Sequence, residues 1–431
     1  MPKKVHIISL GCAKNLVDSE VLSGLLKEKN CEFVEKPIFA DIVILNTCSF
    51  IGEARKEAKH YINNLIKYKK IKAFKLLIIG CLPQVEKENL LKKYPEIDGI
   101  FGVSDICKIS EFIENPSKKI ISVSSLPVFM YKSSMPRIVT TPKSYAYIKI
   151  ADGCDNRCSY CLIPAIRGPY REREVEDVVK EAQKLVSGGT KEIILVSNDT
   201  TRYGTKIYKK KMLHVLVSKL SKIKELLWIR ILYTHPGHFY DELIYEIANN
   251  EKVCKYIDMP IQHTSDKILS LMGRNTTRAD ILKLVERLKK KVKNIALRTT
   301  VIVGFPQETD RDFEVLLEDI KQLEFDWLGT FMFSLQKNTK AQDLYPKIPY
   351  RIKKERYTTI MSTQQKITYK KNLSRVNKIY KVLCDSDTFG HTEFQCPEID
   401  GRVYFSGKSD DLVENIKIEK ADIYDVYGKL I

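Results

Sequence analysis

Three closely spaced cysteines are the first candidates for chemistry. In ADGCDNRCSYC, Cys154, Cys158 and Cys161 stand four and then three residues apart, directly after the apolar run YAYIKIA, which reads as a strand. Reactive groups gather at the carboxyl ends of parallel strands, because those ends open into one crevice. The spacing lets a tight loop wrap three thiolates around one face of a 4Fe-4S cluster and leave one iron open. An open iron can chelate the amino and carboxylate groups of S-adenosylmethionine (SAM), and an electron from the reduced cluster then breaks a carbon–sulfur bond to give an adenosyl radical. The competing reading is a structural zinc loop, which needs a fourth Cys or His nearby. None is adjacent, and the next histidine downstream is His214.

Three further cysteines repeat one design. Cys12, Cys48 and Cys81 each directly follow an apolar run, VHIISLGC, DIVILNTC and KLLIIGC, and two of them are preceded by glycine. If these runs are neighbouring parallel strands, their carboxyl ends bring three distant thiols to one sheet edge, where they could hold a second cluster. The alternative is three buried small hydrophobes, the commonest fate of a free cysteine. The other five, Cys31, Cys107, Cys254, Cys384 and Cys396, show no pattern and read as core or surface thiols.

The elements that must position these groups follow from periodicity. The first hundred residues alternate apolar runs with amphipathic stretches, predicting a doubly wound parallel sheet in a domain spanning residues 1–114. Residues 115–143, rich in Ser, Pro and Lys, read as a linker. From Tyr145, six apolar runs (YAYIKIA, KEIILVSN, LLWIRILYT, YIDMPIQH, IALRTTVIVGF and WLGTFMFS) separated by helical patterns predict a partial (β/α)6 barrel over 144–370. A Lys-rich helix near Pro349 to Arg375 leads into short strand-like pieces, a small antiparallel β-barrel over 371–431. The fold class is therefore α/β with a small all-β tail.

Composition narrows the setting. In 431 residues, 44% are apolar and 29% charged, which suits a folded multidomain chain and excludes a disordered one. No run is long enough to span a bilayer, so the chain is expected to be cytoplasmic without membrane contact. Eleven cysteines there are unlike disulfide partners. The net charge of +18 argues for an acidic partner such as RNA, against the plain reading of a Lys-rich solubilising surface. Residues 377–431 depart from this balance, with 7 Lys or Arg against 11 Asp or Glu, a net of 7 − 11 = −4.

The Cys154 loop, its strand and the six βα units resemble the radical SAM superfamily. That resemblance implies Tyr160 packing against the adenine of SAM, and Ser197, Asn198 and Asp199 contacting its amino group. It also implies that Arg298 and the Gly304-Phe305-Pro306 turn face the same crevice, with glycine permitting close approach. Generic packing and strand-end capping are the plain alternatives. With the strand-end triplet before it and the small barrel after it, the whole chain resembles the methylthiotransferases, whose C-terminal module is called TRAM. The resemblance implies two 4Fe-4S clusters, with SAM serving as methyl donor and as radical source.

SLGCAKNLVDSE, ADGCDNRCSYCLIPAIRGPYRER, NDTTRYG and CPEIDG are similar to the branch of that family that modifies the β-carbon of an aspartate in small-subunit ribosomal protein 12. The tRNA-adenosine branch, the alternative, typically has GCQMN where this chain has GCAKN. Ala13 and Ser49 depart from the usual proline and glycine without touching an expected ligand. The implied partners are ribosomal protein 12, on or near the ribosome with contact to ribosomal RNA, and an electron donor. An acidic barrel suits a basic ribosomal protein better than tRNA phosphate.

Overall fold

The computed structural model describes residues 1–114, 119–407, 409 and 411–431. It divides into two compact units, residues 1–140 with 149–156 and 161–181, and residues 141–148 with 157–160 and 182–431.

The first unit is built on six parallel strands, β1 (Lys4–Ser9), β2 (Glu32–Phe33), β3 (Ile42–Thr47), β4 (Lys75–Gly80), β5 (Gly99–Phe101) and β6 (Ile120–Ser122), in the order β2-β1-β3-β4-β5-β6. Ile42 and Ile44 bury into one core and Val43 and Leu45 into the other, so β3 is buried along its length and apolar up to Leu45 because helices cover both faces. The order reverses at β1/β3, the switch point where such sheets open a crevice at their carboxyl ends. β6 lies inside the expected linker: Ile120 pairs with Gly99 in register, since an apolar triplet beside an open edge completes the sheet without needing a long period.

The second unit carries β7 (Tyr145–Lys149), β10 (Glu192–Val196), β11 (Trp228–Ile231), β12 (Val253–Asp258), β13 (Ala296–Val303) and β14 (Trp327–Met332), adjacent in that order and parallel from β10 to β14. A short hairpin-like pair in the first unit, β8 (Ala151–Asp152) and β9 (Arg171–Glu172), follows β7. β7 and β14 remain edges, as expected for a partial barrel. The helix Tyr350–Leu373 then leads to a closed barrel of β15 (Ile379–Cys384), β16 (Phe389–His391), β17 (Val403–Ser406), β18 (Val413–Ala421) and β19 (Val426–Leu430). Its pairings are antiparallel except β17 with β19, which is parallel. A ring of five strands cannot alternate direction all the way round, so the wholly antiparallel expectation gives way at one seam.

The segment between β16 and β17 seats on the amino-terminal end of the six-stranded sheet. Arg230, the third residue of β11, donates to Glu192 Oε1 (2.6 Å) and to the carbonyls of Glu393 and Thr392. Trp327 Nε1, at the first residue of β14, donates to Phe394 O at 2.7 Å, and Tyr256 hydroxyl donates to Asp400 at 2.7 Å. That end is closed.

Candidate functional site

Three cysteines stand at the carboxyl ends of the adjacent strands β1, β3 and β4, around the switch point of the first sheet. Cys12 follows β1 and starts the helix Ala13–Glu28, Cys48 follows β3, and Cys81 follows β4 as the first residue of a short helix. Gly11 has φ +93°, and a Cβ there would lie 2.6 Å from Cys48 Cβ; Gly80 has φ +91°, and a Cβ there would lie 2.3 Å from Asn46 Oδ1. Both glycines are thus needed for the chain to turn tightly off a strand beside its neighbour. Asn15 ties the strand ends together: its Nδ2 donates to Leu10 O (3.1 Å) and Thr47 O (3.0 Å), and its Oδ1 lies 3.7 Å from Cys81 Sγ.

Beside the thiols is a buried guanidinium. Arg167, 1% exposed, donates to Asn15 Oδ1 (2.6 Å), Asp152 Oδ2 (2.9 Å) and Asp18 Oδ2 (3.1 Å). Lys149 pairs with both of these carboxylates and Arg171 with Asp152, so three cations share two carboxylates there. Burial opposes ionisation of Cys12, but Lys14, Arg167 and the backbone N–H groups of Asn15 and Lys14 outweigh it and bring the thiol below its ordinary value. At Cys81 burial dominates and pushes the thiol up to about 12; burial raises Cys48 as well. Such a site favours a group that brings its own positive charge.

The residues fit an iron–sulfur cluster. The set is all thiol, and Ser49 Oγ, next to Cys48, is buried with no hydrogen-bond partner among the described residues. Among the described residues no three His, Cys, Asp or Glu converge as a single metal ion would need; a four-iron cluster takes each thiolate at a separate corner and does not require that convergence.

The second constellation begins within the same unit. Cys154 and Cys161 belong to the first unit and Cys158 to the second, all three half-buried. Cys154 N–H donates to Gly168 O at 3.1 Å, and Cys161 Sγ accepts from the Ile163 N–H at 3.4 Å. Leu162, the neighbour of Cys161, shares a buried apolar cluster with Cys81 and Ile166. The loop that carries two ligands of one candidate cluster therefore packs on a ligand of the other. Arg167 reinforces the link from six residues beyond Cys161. It was within a quoted motif, yet nothing local marked its charge as one that would meet Asn15 and Asp18.

On the second unit, Ser159 N–H donates to Met272 O (2.9 Å) and its hydroxyl to Leu271 O (2.7 Å), seating the middle of the cysteine loop. Tyr160 packs edge-on against Phe305 (6.4 Å between centroids, 84°), which joins the cysteine loop to the Gly304-Phe305-Pro306 turn. Ser197 and Asp199 are buried after β10 and Asn198 is half-buried. Burial opposes ionisation of Asp199, but the His238 Nδ1 contact at 2.7 Å, His235 and the Thr201 hydroxyl hold it at about 2. His235 and His238 stack at 4.4 Å; sequence reasoning passed over both, although YTHPGHF places them directly after β11.

Two of the expected contacts have other neighbours. Arg298, six residues before Gly304, donates to Asp258 (2.8 Å), the last residue of β12, and pairs with Asp400 (3.3 Å) of the segment between β16 and β17. Gly304 has φ +71° and its missing Cβ leaves room for Lys353, whose Cγ would stand 2.3 Å away. The close approach it permits is that of a helix side chain.

Family models match the Radical SAM superfamily at residues 148–320, the TRAM domain at 376–431, and the Uncharacterized protein family UPF0004 at 4–102. The chain is 44% identical to the ribosomal protein uS12 methylthiotransferase RimO of Acetivibrio thermocellus, covering 100% of this chain and 99% of that protein. It is 43% identical to the protein of that name from Caldicellulosiruptor saccharolyticus, covering 99% and 100%. Among solved structures, the radical SAM methyltransferase TsrM from Kitasatospora setae matches with TM-score 0.58 at 16% identity, over 79% of this chain and 77% of that one. The cobalamin-dependent SAM radical enzyme OxsB matches with TM-score 0.54 at 13% identity, over 85% and 56%. These two likenesses are of fold.

Proposed function

The chain belongs to the RimO family of ribosomal protein uS12 methylthiotransferases, and from that membership we propose that it is a radical SAM enzyme placing a methylthio group on the β-carbon of a uS12 aspartate. The observation that carries the reading is the packing of Leu162, beside Cys161, on Cys81, because a sulfur donor and a radical source must act on one carbon. Cys154, Cys158 and Cys161 would hold one 4Fe-4S cluster and Cys12, Cys48 and Cys81 a second. When bound, the first cluster with SAM supplies a radical able to take hydrogen from an unactivated carbon, which acid–base chemistry does not reach.

The protein's own groups do the rest. Asn15 fixes the ends of β1 and β3 against each other. Arg167, anchored by Asp18 and Asp152, offsets the thiolate charge without entering the ligand set. No helix among the described residues is long and apolar enough to cross a membrane. The proposed working site is the ribosome, with the cytoplasm as compartment and an electron donor as second partner.

Anaerobic reconstitution with iron, sulfide, SAM and reductant, offering ribosomal subunits and bulk tRNA together, tests the proposal by mass spectrometry. A methylthio increment on a uS12 aspartate is expected; an increment on tRNA adenosine instead overturns the substrate assignment. Cys12→Ala is expected to abolish the increment while 5′-deoxyadenosine is still formed. Loss of both would refute the division of labour between the two triplets.

A further inference from the structure

Arg274 is a buried cation without an anion. It is 8% exposed; among the described residues its one side-chain hydrogen bond runs from NH2 to Pro260 O at 2.8 Å, and its Nε is buried without a partner. Among the described residues no carboxylate pairs with it. Two residues on, Thr276 Oγ1 is likewise buried and unpartnered. Among the described residues the other buried guanidiniums of this unit are matched: Arg230 by Glu192, Arg356 by Glu308 and Asp310, Arg375 by Asp326. An unpaired buried charge is costly enough that structures rarely keep one without a ligand to meet it.

Its neighbourhood is the reactive rim. The preceding residues Leu271 and Met272 receive the hydrogen bonds of Ser159, inside the cysteine loop, and a Cβ on Gly273 would lie 2.9 Å from Arg157 O. Arg274 also acts on the His235 ring, which follows β11, and a Cβ on Gly237 would lie 2.8 Å from Thr276 Cγ2. The local acid, Asp199, is taken up by Thr201 and His238.

We propose that Arg274, with Thr276 beside it, is a carboxylate-binding subsite of the SAM-side crevice. A guanidinium fork matches a carboxylate in two parallel bonds. Resting on the function proposed above, the carboxylate is that of SAM or that of the aspartate being modified, and the two sources can be told apart.

The test uses the full-length, anaerobically reconstituted protein and measures equilibrium binding of three probes: SAM, 5′-methylthioadenosine, which has no carboxylate, and a uS12 loop peptide compared with its Asp→Asn version. Arg274→Gln is expected to weaken one carboxylate probe at least tenfold and leave 5′-methylthioadenosine unchanged. Weakened SAM binding assigns the subsite to SAM; loss of the Asp-over-Asn preference assigns it to the substrate. Unchanged binding of both carboxylate probes overturns the proposal. Should Arg274→Gln not fold, Arg274→Lys and Thr276→Val are read the same way with a smaller loss expected, and no loss in either is equally fatal. Failure of the function itself would show differently, as wild-type protein that binds SAM but never modifies the peptide.

Discussion

The two ends of the six-stranded sheet solve opposite problems with the same residue types. At the amino-terminal end, Arg230, Glu192, His391 and Asp385 form a continuous buried chain of pairs, with His391 Nε2 2.7 Å from Glu192 and Nδ1 2.9 Å from Asp385, sealed by residues 392–400. At the carboxyl-terminal end, Arg274 and Thr276 keep unmet donors. A guanidinium whose charge is matched on every side holds a domain together, whereas an unmatched one beside a ligand loop is waiting for a partner. Burial alone does not separate the two; pairing does.

The comparison is broken most severely at the carboxyl end by removing a ligand. Cys158→Ala is expected to abolish both 5′-deoxyadenosine and product, while the melting of the cluster-free protein moves little, because the side chain is half-buried in a loop. Arg230→Met should do the reverse: it leaves Glu192 buried and only His391 to answer it, costing about 3–5 kcal/mol of stability, read by denaturant titration, with SAM affinity retained by whatever fraction folds.

A subtler effect comes from pH. Burial disfavours the charged form of His391, but Glu192 and Asp385 outweigh burial and raise its value above the ordinary 6.5. The pair's stabilisation is therefore complete below pH 6.5 and fades as pH rises through that higher folded-state value. Melting from pH 6 to 9 should show the decline in the wild type and a flatter profile in His391→Gln. The smallest effect is expected at the exposed Arg311–Glu314 pair, 3.4 Å apart with both side chains more than half exposed. There Arg311→Ala should change stability by less than about 0.5 kcal/mol; a larger change would mean that pairing on the surface counts as it does inside.

The C-terminal barrel illustrates how charge counting overreaches. Of its eleven acids, Asp385 and Asp400 point inward to His391 and Arg298, so part of the net −4 is internal neutralisation and less of it is available to a basic protein. Sequence counts charges; only the fold says which of them face water.

Local signals determined much of this protein. Strand ends, the glycines before Cys12 and Cys81, and the six βα units were legible because apolar periodicity and φ > 0 turns are properties of a few adjacent residues. The parallel seam between β17 and β19, the edge strand at Ile120–Ser122, the placement of Arg298 and the meeting of Arg167 with Asn15 were decided by tertiary structure. Arg167 and Asn15 are 152 residues apart, and nothing in either neighbourhood encodes the other. A sequence fixes which groups can ionise or ligate, but whether each finds its counterpart depends on long-range packing, and that decided which cations hold the fold and which one is left for a ligand.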